Sequence, residues 1–421
     1  LPSTPFIPAR GGIRIDTAVQ AMTKKHHLQP SDLRGASRLA IDATIGLTSL
    51  VETMHHNILR TPGILGESTQ QPAQGITGFV YKSIRGVTRL VGGGIDAVLA
   101  RLVPLFGGGA SSAEREAVLA ALNGVLGDHL HDSANPLAIA MHIRRDGKPL
   151  QLTRKALEPA IPGATGKVLL LAHGLCMNDL LWRRNGHDHG AALAAEAGFT
   201  AVYLHYNSGL HISTNGRALA SRIEALMHAW PVPVEELVIL AHSMGGLVAR
   251  SACHYGARLH HDWLGHLRKM IFLGTPHHGA PLERGGHWID AALDASPYTT
   301  AFARLGKIRS AGITDLRYGS MLDEDWEHDD RFAHATRKTL PLPLPADVAC
   351  YAIAASITRK GGELAQQLLG DGLVPLASAL GQHKDAKRNL AFGKSRWIGY
   401  GMHHLDLLDR KEVFARIRSW L

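Results

Sequence analysis

Apolar side chains recur every three to four positions from residue 37 to about residue 60, at Ile41, Ile45, Thr48, Val51, Met54 or His55, and Ile58. This spacing predicts an amphipathic helix, closed by Thr61-Pro62-Gly63. A second helical pattern covers about 77–103, with Val80, Ile84, Val91, Ile95, Val98 and Leu102 on one face. A third is predicted from near Ala113, capped by Ser111 or Ser112 and carrying Glu114 and Glu116 in its first turn. Residues 1–36, rich in Pro and Gly and holding Lys24-Lys25-His26-His27, read as a flexible arm. The stretch 37–136 is therefore expected to be a helical extension.

At Leu137 the period moves towards two. Runs at 137–144 and 149–153 flank Asp146-Gly147, a strong hairpin signal. The continuous apolar run 167–172 has the character of a strand buried on both faces. Helices are then predicted at 187–197, 213–230 and 245–259, alternating with strands at 200–206, 237–241 and 269–274. Strands return at 347–355 and 396–400, and a last helix is expected over 405–421. The alternation predicts an α/β domain over 137–421, built on a mostly parallel sheet with helices on both faces. Between about 280 and 345 the rhythm lapses, as for an insertion that caps a site. Trp288, Ile289, Leu293, Tyr298 and Phe302 in that cap are expected to line an apolar substrate pocket. The acidic run 323–330 reads as a solvated face or cap surface.

Composition narrows the function classes. The net charge of +9 is spread along 421 residues without a basic run, which argues against nucleic acid as a partner. No stretch is apolar and long enough for a transmembrane span, although the helical extension suits peripheral membrane contact or a homo-oligomer interface. The cysteines, Cys176, Cys253 and Cys350, fall in or beside core elements and read as free buried thiols. That favours a cytoplasmic setting, while the first residue, Leu1, leaves a secreted or periplasmic one open. His277-His278 and His187-Asp188-His189 lack convergent ligand spacing and read as polar packing, so no metal is expected.

The chemistry centres on Ala241-His242-Ser243-Met244-Gly245, where an apolar strand delivers a serine into a tight turn before a helix. This fits G-x-S-x-G with alanine for the first glycine, and small residues are needed there because strand and helix backbones approach closely. Serine needs a base, and the base an orienting acid. Asp371, in Gly370-Asp371-Gly372, follows a predicted strand, and Met402-His403-His404-Leu405-Asp406 follows the last one. The order serine, acid, histidine is complete, with His403 and His404 both open as the base. Leu175, after Ala172-His173-Gly174, and Met244, after the serine, are the expected backbone donors to an oxyanion.

These segments resemble the α/β-hydrolase superfamily, and within it bacterial triacylglycerol lipases and carboxylesterases. The resemblance covers about 137–421 and rests on five short motifs in order: His173-Gly174-Leu175, His242 to Gly246, Gly274 to Gly279, Asp371 to Val374, and His404 to Asp406. It implies an α/β-hydrolase fold, a Ser243–Asp371–His404 triad, an acyl-enzyme intermediate and no organic cofactor. It selects His404 over His403. Some members hold a structural calcium through the aspartate matching Asp406, but Arg410 is a poor neighbour for a cation. The expected activity is hydrolysis of a small-molecule or lipid-like carboxylic ester. The rival readings are an amidase, thioesterase or polyester depolymerase, and a membrane- or hydrophobic-surface-binding protein acting through the N-terminal helices.

Overall fold

The computed structural model describes residues 112–280, 310–327, 339–358 and 370–421. The helices expected over 37–60 and 77–103, and Trp288, Ile289, Leu293, Tyr298 and Phe302, lie outside the described residues. The first element is α1 (Ser112–Asp132), rich in Ala, Leu and Val and interrupted at Leu126 (φ −124°, ψ 15°). Its Val118, Leu122, Val125 and Leu130 are buried in one cluster with Leu137 and Cys176. This last helix of the extension is thus built into the core of the α/β unit.

A hairpin follows, β1 (His142–Arg145) and β2 (Lys148–Pro149). Asp146 (φ 50°) and Gly147 (φ 71°) both take the positive φ of a type I′ turn. Pairing is shorter than the expected runs, because Leu150 and Leu152 pack on the core instead and Thr153 opens α2 (Arg154–Ala160). That helix was not anticipated, and the reason is legible: Pro159 lies inside it.

The alternating part runs β3 (Lys167–Ala172), α3 (His189–Ala197), β4 (Thr200–His205), α4 (Ile212–Ala229), β5 (Glu236–His242), α5 (Met244–Arg258) and β6 (Leu267–Leu273). It continues with α6 (Ala311–Tyr318), β7 (Ala349–Ser356), α7 (Leu376–Ala379), β8 (Arg396–Tyr400) and α8 (Lys411–Arg418). The single helix expected over 405–421 is instead a 3-10 turn, His404–Leu408, followed by α8, because Arg410 is extended (φ −70°, ψ 134°). Strand order is β2-β1-β4-β3-β5-β6-β7-β8. The pairs from β4 through β8 are parallel, and β1 pairs antiparallel with β2 and β4.

Alternate residues of each central strand feed opposite cores. Val168, Leu170, Ile239 and Phe272 pack with Leu219, Ile223 and Leu247 of α4 and α5. Leu169, Leu171, Val238 and Ile271 pack with Leu193 of α3 and Val413 and Ile417 of α8. Burial on both faces explains why these strands read as unbroken apolar runs. The chain moves outward from β3 to β4, then crosses back to β5 on the other side of β3. Such a switch opens a crevice at the carboxyl ends of β3 and β5.

Cys176, Cys253 and Cys350 are free and buried, and burial raises all three thiols, Cys176 and Cys350 to about 12. Within the described residues, no helix is long and apolar enough to cross a membrane. The acidic run is only partly a solvated face: Asp325 is buried, and its Oδ2 accepts from the N–H groups of Met321 (2.8 Å) and Leu322 (3.0 Å).

Candidate active site

Strand β5 hands directly into α5 through Ser243, whose φ of 53° and ψ of −126° lie where a non-glycine residue is strained. The Ser243 N–H donates to the Leu273 carbonyl at 2.8 Å, which ties the elbow to the end of β6. Gly245 permits the close approach: a Cβ there would lie 2.5 Å from the Ala172 carbonyl oxygen and 2.6 Å from that of His173. Ser243 is 8% exposed, almost closed over.

The turn after β3 lies against this elbow. A Cβ on Gly174 would sit 3.0 Å from Ser243 Cβ and 3.2 Å from His242 Nδ1. Cys176 holds φ 59° in the same turn, and the Met177 N–H donates to the Gly174 carbonyl at 3.4 Å. Leu175 is half-buried between two apolar clusters. Met244 opens α5, so its N–H has no acceptor within the helix. The turn at Gly174 and the N-terminus of α5 therefore flank Ser243.

Loops after β7 and β8 supply the acid and the base. Asp371 and His404 are both buried, and His404 Nδ1 stands 2.7 Å from Asp371 Oδ2. Asp371 Oδ1 accepts from Leu373 N–H (2.9 Å) and Val374 N–H (2.8 Å), so the carboxylate is fixed on both oxygens. In the tautomer that donates Nδ1–H to Asp371, the ring's other nitrogen, Nε2, is the acceptor. The ring centroids of His404 and His242 are 4.6 Å apart, and His242 Nε2–H donates to the His404 carbonyl at 3.3 Å. A side chain on Gly274, at the end of β6, would meet the His404 ring at 3.0 Å. The structure thus joins Asp371 to His404 and sets both beside the Ser243 elbow. Within the described residues, the Ser243 hydroxyl itself forms no hydrogen bond. His403 is exposed.

Asp406, the aspartate that the lipase resemblance links to calcium, is otherwise engaged. Its Oδ2 accepts from the His403 N–H at 2.8 Å and stands 3.6 Å from Arg410 Nη2. The neighbouring Asp409 pairs with Arg184 at 3.3 Å. Carboxylates already matched by guanidinium groups do not suit a divalent cation.

Burial lowers the pKa of three surrounding histidines, His173, His242 and His189. Burial pushes His173 down to about 3 and His242 well below its ordinary value. His173 Nδ1–H donates to the Gly174 carbonyl at 2.9 Å and its ring stacks on Tyr206 at 4.4 Å, directly beneath the turn. Burial also takes His189 down to about 4; its Nε2–H donates to the Leu407 carbonyl at 3.0 Å, and its Nδ1 accepts from His187 Nε2–H at 2.8 Å. Sequence reasoning missed a buried charge cluster just beyond the turn. Arg144 Nη1 lies 3.2 Å from Asp179 Oδ1 and 2.9 Å from Glu116 Oε2, and His205 Nδ1 lies 3.1 Å from Asp179. These residues come from β1, the β3 turn, α1 and β4, so no local spacing betrays them.

Residues 164–342 match the family model of the PGAP1-like alpha/beta domain. Among solved structures, the chain is similar to a mature lipase of Bacillus licheniformis at 14% identity and TM-score 0.39, covering 67% of this chain and 97% of that one. Lipase B of Aspergillus fumigatus is similar at 14% identity and TM-score 0.37, covering 67% of this chain and 55% of that one. An esterase of Pyrococcus furiosus is similar at 12% identity and TM-score 0.37, covering 62% and 82%. No curated protein matches the chain in sequence. The strand order and the strained serine at the switch point lead to one conclusion: the chain has the α/β-hydrolase fold, and residues 164–342 are similar to the PGAP1-like alpha/beta domain.

Proposed function

We propose that this protein is a serine hydrolase of carboxylic esters, with Ser243 as nucleophile, His404 as general base and Asp371 as the orienting acid. One observation carries the reading: the buried 2.7 Å His404–Asp371 pair packs on the histidine that immediately precedes a positive-φ serine. In the reaction, Ser243 Oγ attacks the ester carbonyl as its proton passes to His404 Nε2. Asp371 holds the opposite Nδ1 proton and steadies the imidazolium. The Leu175 and Met244 N–H groups stabilise the oxyanion, one such donor contributing about 3 kcal/mol. Collapse of the tetrahedral intermediate breaks the bond to the alkoxy oxygen, which leaves as the alcohol with the His404 proton. Water, deprotonated by the same histidine, then attacks the acyl-serine and releases the acid. The substrate class is a small-molecule or lipid-like ester.

A fluorophosphonate should label Ser243 and abolish hydrolysis of p-nitrophenyl acyl esters, and Ser243→Ala should lose both label and activity. A protein that hydrolyses esters while Ser243 stays unlabelled would end this assignment. Parallel panels of amides, thioesters and polyesters read the substrate class directly, since the ester panel should turn over fastest.

A further inference from the structure

The Leu175 N–H belongs to a turn that its own residues do not favour. Residues 174–177 close on the Met177 N–H, which donates to the Gly174 carbonyl at 3.4 Å. Cys176, the third residue of that turn, holds φ 59°, a left-handed conformation that glycine or asparagine usually supplies. A half-rotation of the peptide between Leu175 and Cys176 would return Cys176 to negative φ and give a type I turn. Contacts from outside the turn must oppose that rotation.

Two side chains from the segment after β4 do so. Ser208 Oγ accepts from the Cys176 N–H at 3.0 Å, which fixes the orientation of the central peptide. The Tyr206 hydroxyl donates to the His173 carbonyl at 2.8 Å, and its ring stacks on the His173 imidazole at 4.4 Å. Burial raises the Tyr206 phenol, so it stays a donor. The imidazole held in this way donates its Nδ1–H to the Gly174 carbonyl at 2.9 Å. That carbonyl and the Leu175 N–H share one trans peptide and point in opposite directions. Pinning the carbonyl therefore aims the N–H. Between the two side chains, Asn207 anchors the segment: its Nδ2 donates to the Gly127 carbonyl of α1, and its own carbonyl accepts from Asn215 Nδ2 of α4, both at 2.9 Å. Tyr206 and Ser208 are each 1% exposed, so they act through the turn and not on a substrate.

We propose that Tyr206 and Ser208 are positioning residues, which hold the Gly174–Cys176 turn in the form that presents the Leu175 N–H to the oxyanion. The inference rests on the acyl-transfer reading given above. Without the Ser208 hydroxyl the central peptide is free to rotate and relieve Cys176. Without the Tyr206 hydroxyl the His173 carbonyl loses its donor, and the imidazole that pins Gly174 loses its anchor.

Steady-state kinetics of Ser208→Ala and Tyr206→Phe on a p-nitrophenyl ester, with inhibition by an alkyl trifluoromethyl ketone, test it. Ser243 Oγ adds to the ketone carbonyl as its proton passes to His404, and the carbonyl oxygen becomes an oxyanion facing the Leu175 N–H. Each substitution should lower kcat about tenfold with KM little changed, a part of the roughly 10²–10³ that loss of a whole oxyanion donor costs. The ketone should bind more weakly by the same factor as kcat/KM falls, since both report the tetrahedral state. A merely structural role would lower Tm and leave the ketone affinity unchanged. Tyr206→Phe carries the test should Ser208→Ala fail to fold, as read by circular dichroism. Wild-type kcat and ketone affinity in either folded variant, or a loss confined to KM, overturns the inference alone. A wild type without Ser243-dependent hydrolysis overturns the acyl-transfer reading, and this inference with it.

Discussion

Ser243 holds its strained backbone because the groups around it leave no alternative: strand β5 is buried on both faces, and Gly245 presses on the carbonyls of Ala172 and His173. Gly245→Ala should therefore fail to fold or lose several °C of Tm in a thermal melt, since its Cβ would meet backbone at 2.5 Å. Asp371 Oδ2 lies 2.7 Å from His404 Nδ1, and in the proposed mechanism it acts through that hydrogen bond. Asp371→Asn would favour the wrong tautomer, and kcat on a p-nitrophenyl ester should fall by about 10³–10⁴ with KM little changed. His403 is exposed, so His403→Ala should leave kcat within twofold, about the scatter of surface substitutions.

At the scale of elements, α1 supports the β3 turn. A Cβ on Gly124 would lie 2.9 Å from Cys176 Cα, and Ser310 Oγ donates to the Gly124 carbonyl at 2.7 Å. Gly124→Val should push the Gly174–Cys176 turn away from its place and lower kcat more than it raises KM in steady-state assays. The charge cluster offers a second lever. Arg144→Met strands Asp179 and Glu116 without their guanidinium, and the expected loss is about 3–5 kcal/mol in urea unfolding. Burial pushes the Asp179 carboxyl up, but His205 and Arg144 outweigh it and hold the group below its ordinary value.

For the molecule as a whole, buried neutral histidines set the response to acid. His173 falls to about 3, and His189 and His278 fall to about 4, all mainly through burial. In the unfolded chain each binds a proton near pH 6.5, so below that pH the unfolded state holds more protons than the native state. Their contribution is present in full above pH 6.5 and lost as pH falls towards 3–4, at about 1.4 kcal/mol per pH unit for each histidine. The depressed Asp179 acts in the same direction at still lower pH. Urea midpoints measured from pH 8 to pH 4 should decline, and a flat profile would contradict these burials. The three buried thiols should react with a disulfide reagent only after denaturant is added.

Local pattern by itself determined the α/β rhythm from Lys167 to Leu273, the hairpin at Asp146-Gly147 and the elbow around Ser243, because periodicity, turn chemistry and close-approach residues are short-range properties. It also put Asp371 and the His403-His404 pair in the loops after β7 and β8, in the order serine, acid, histidine. The tertiary structure buries His404 against Asp371, 33 positions away, and leaves His403 exposed, a difference in surroundings that no local pattern gives. It alone split the last helix at Arg410, drew α1 beneath the Leu175 turn, and gathered Arg144, Asp179, Glu116 and His205 into one charged cluster. Each of those outcomes is a long-range contact, and a pairing energy between distant residues leaves no period in the chain that makes it.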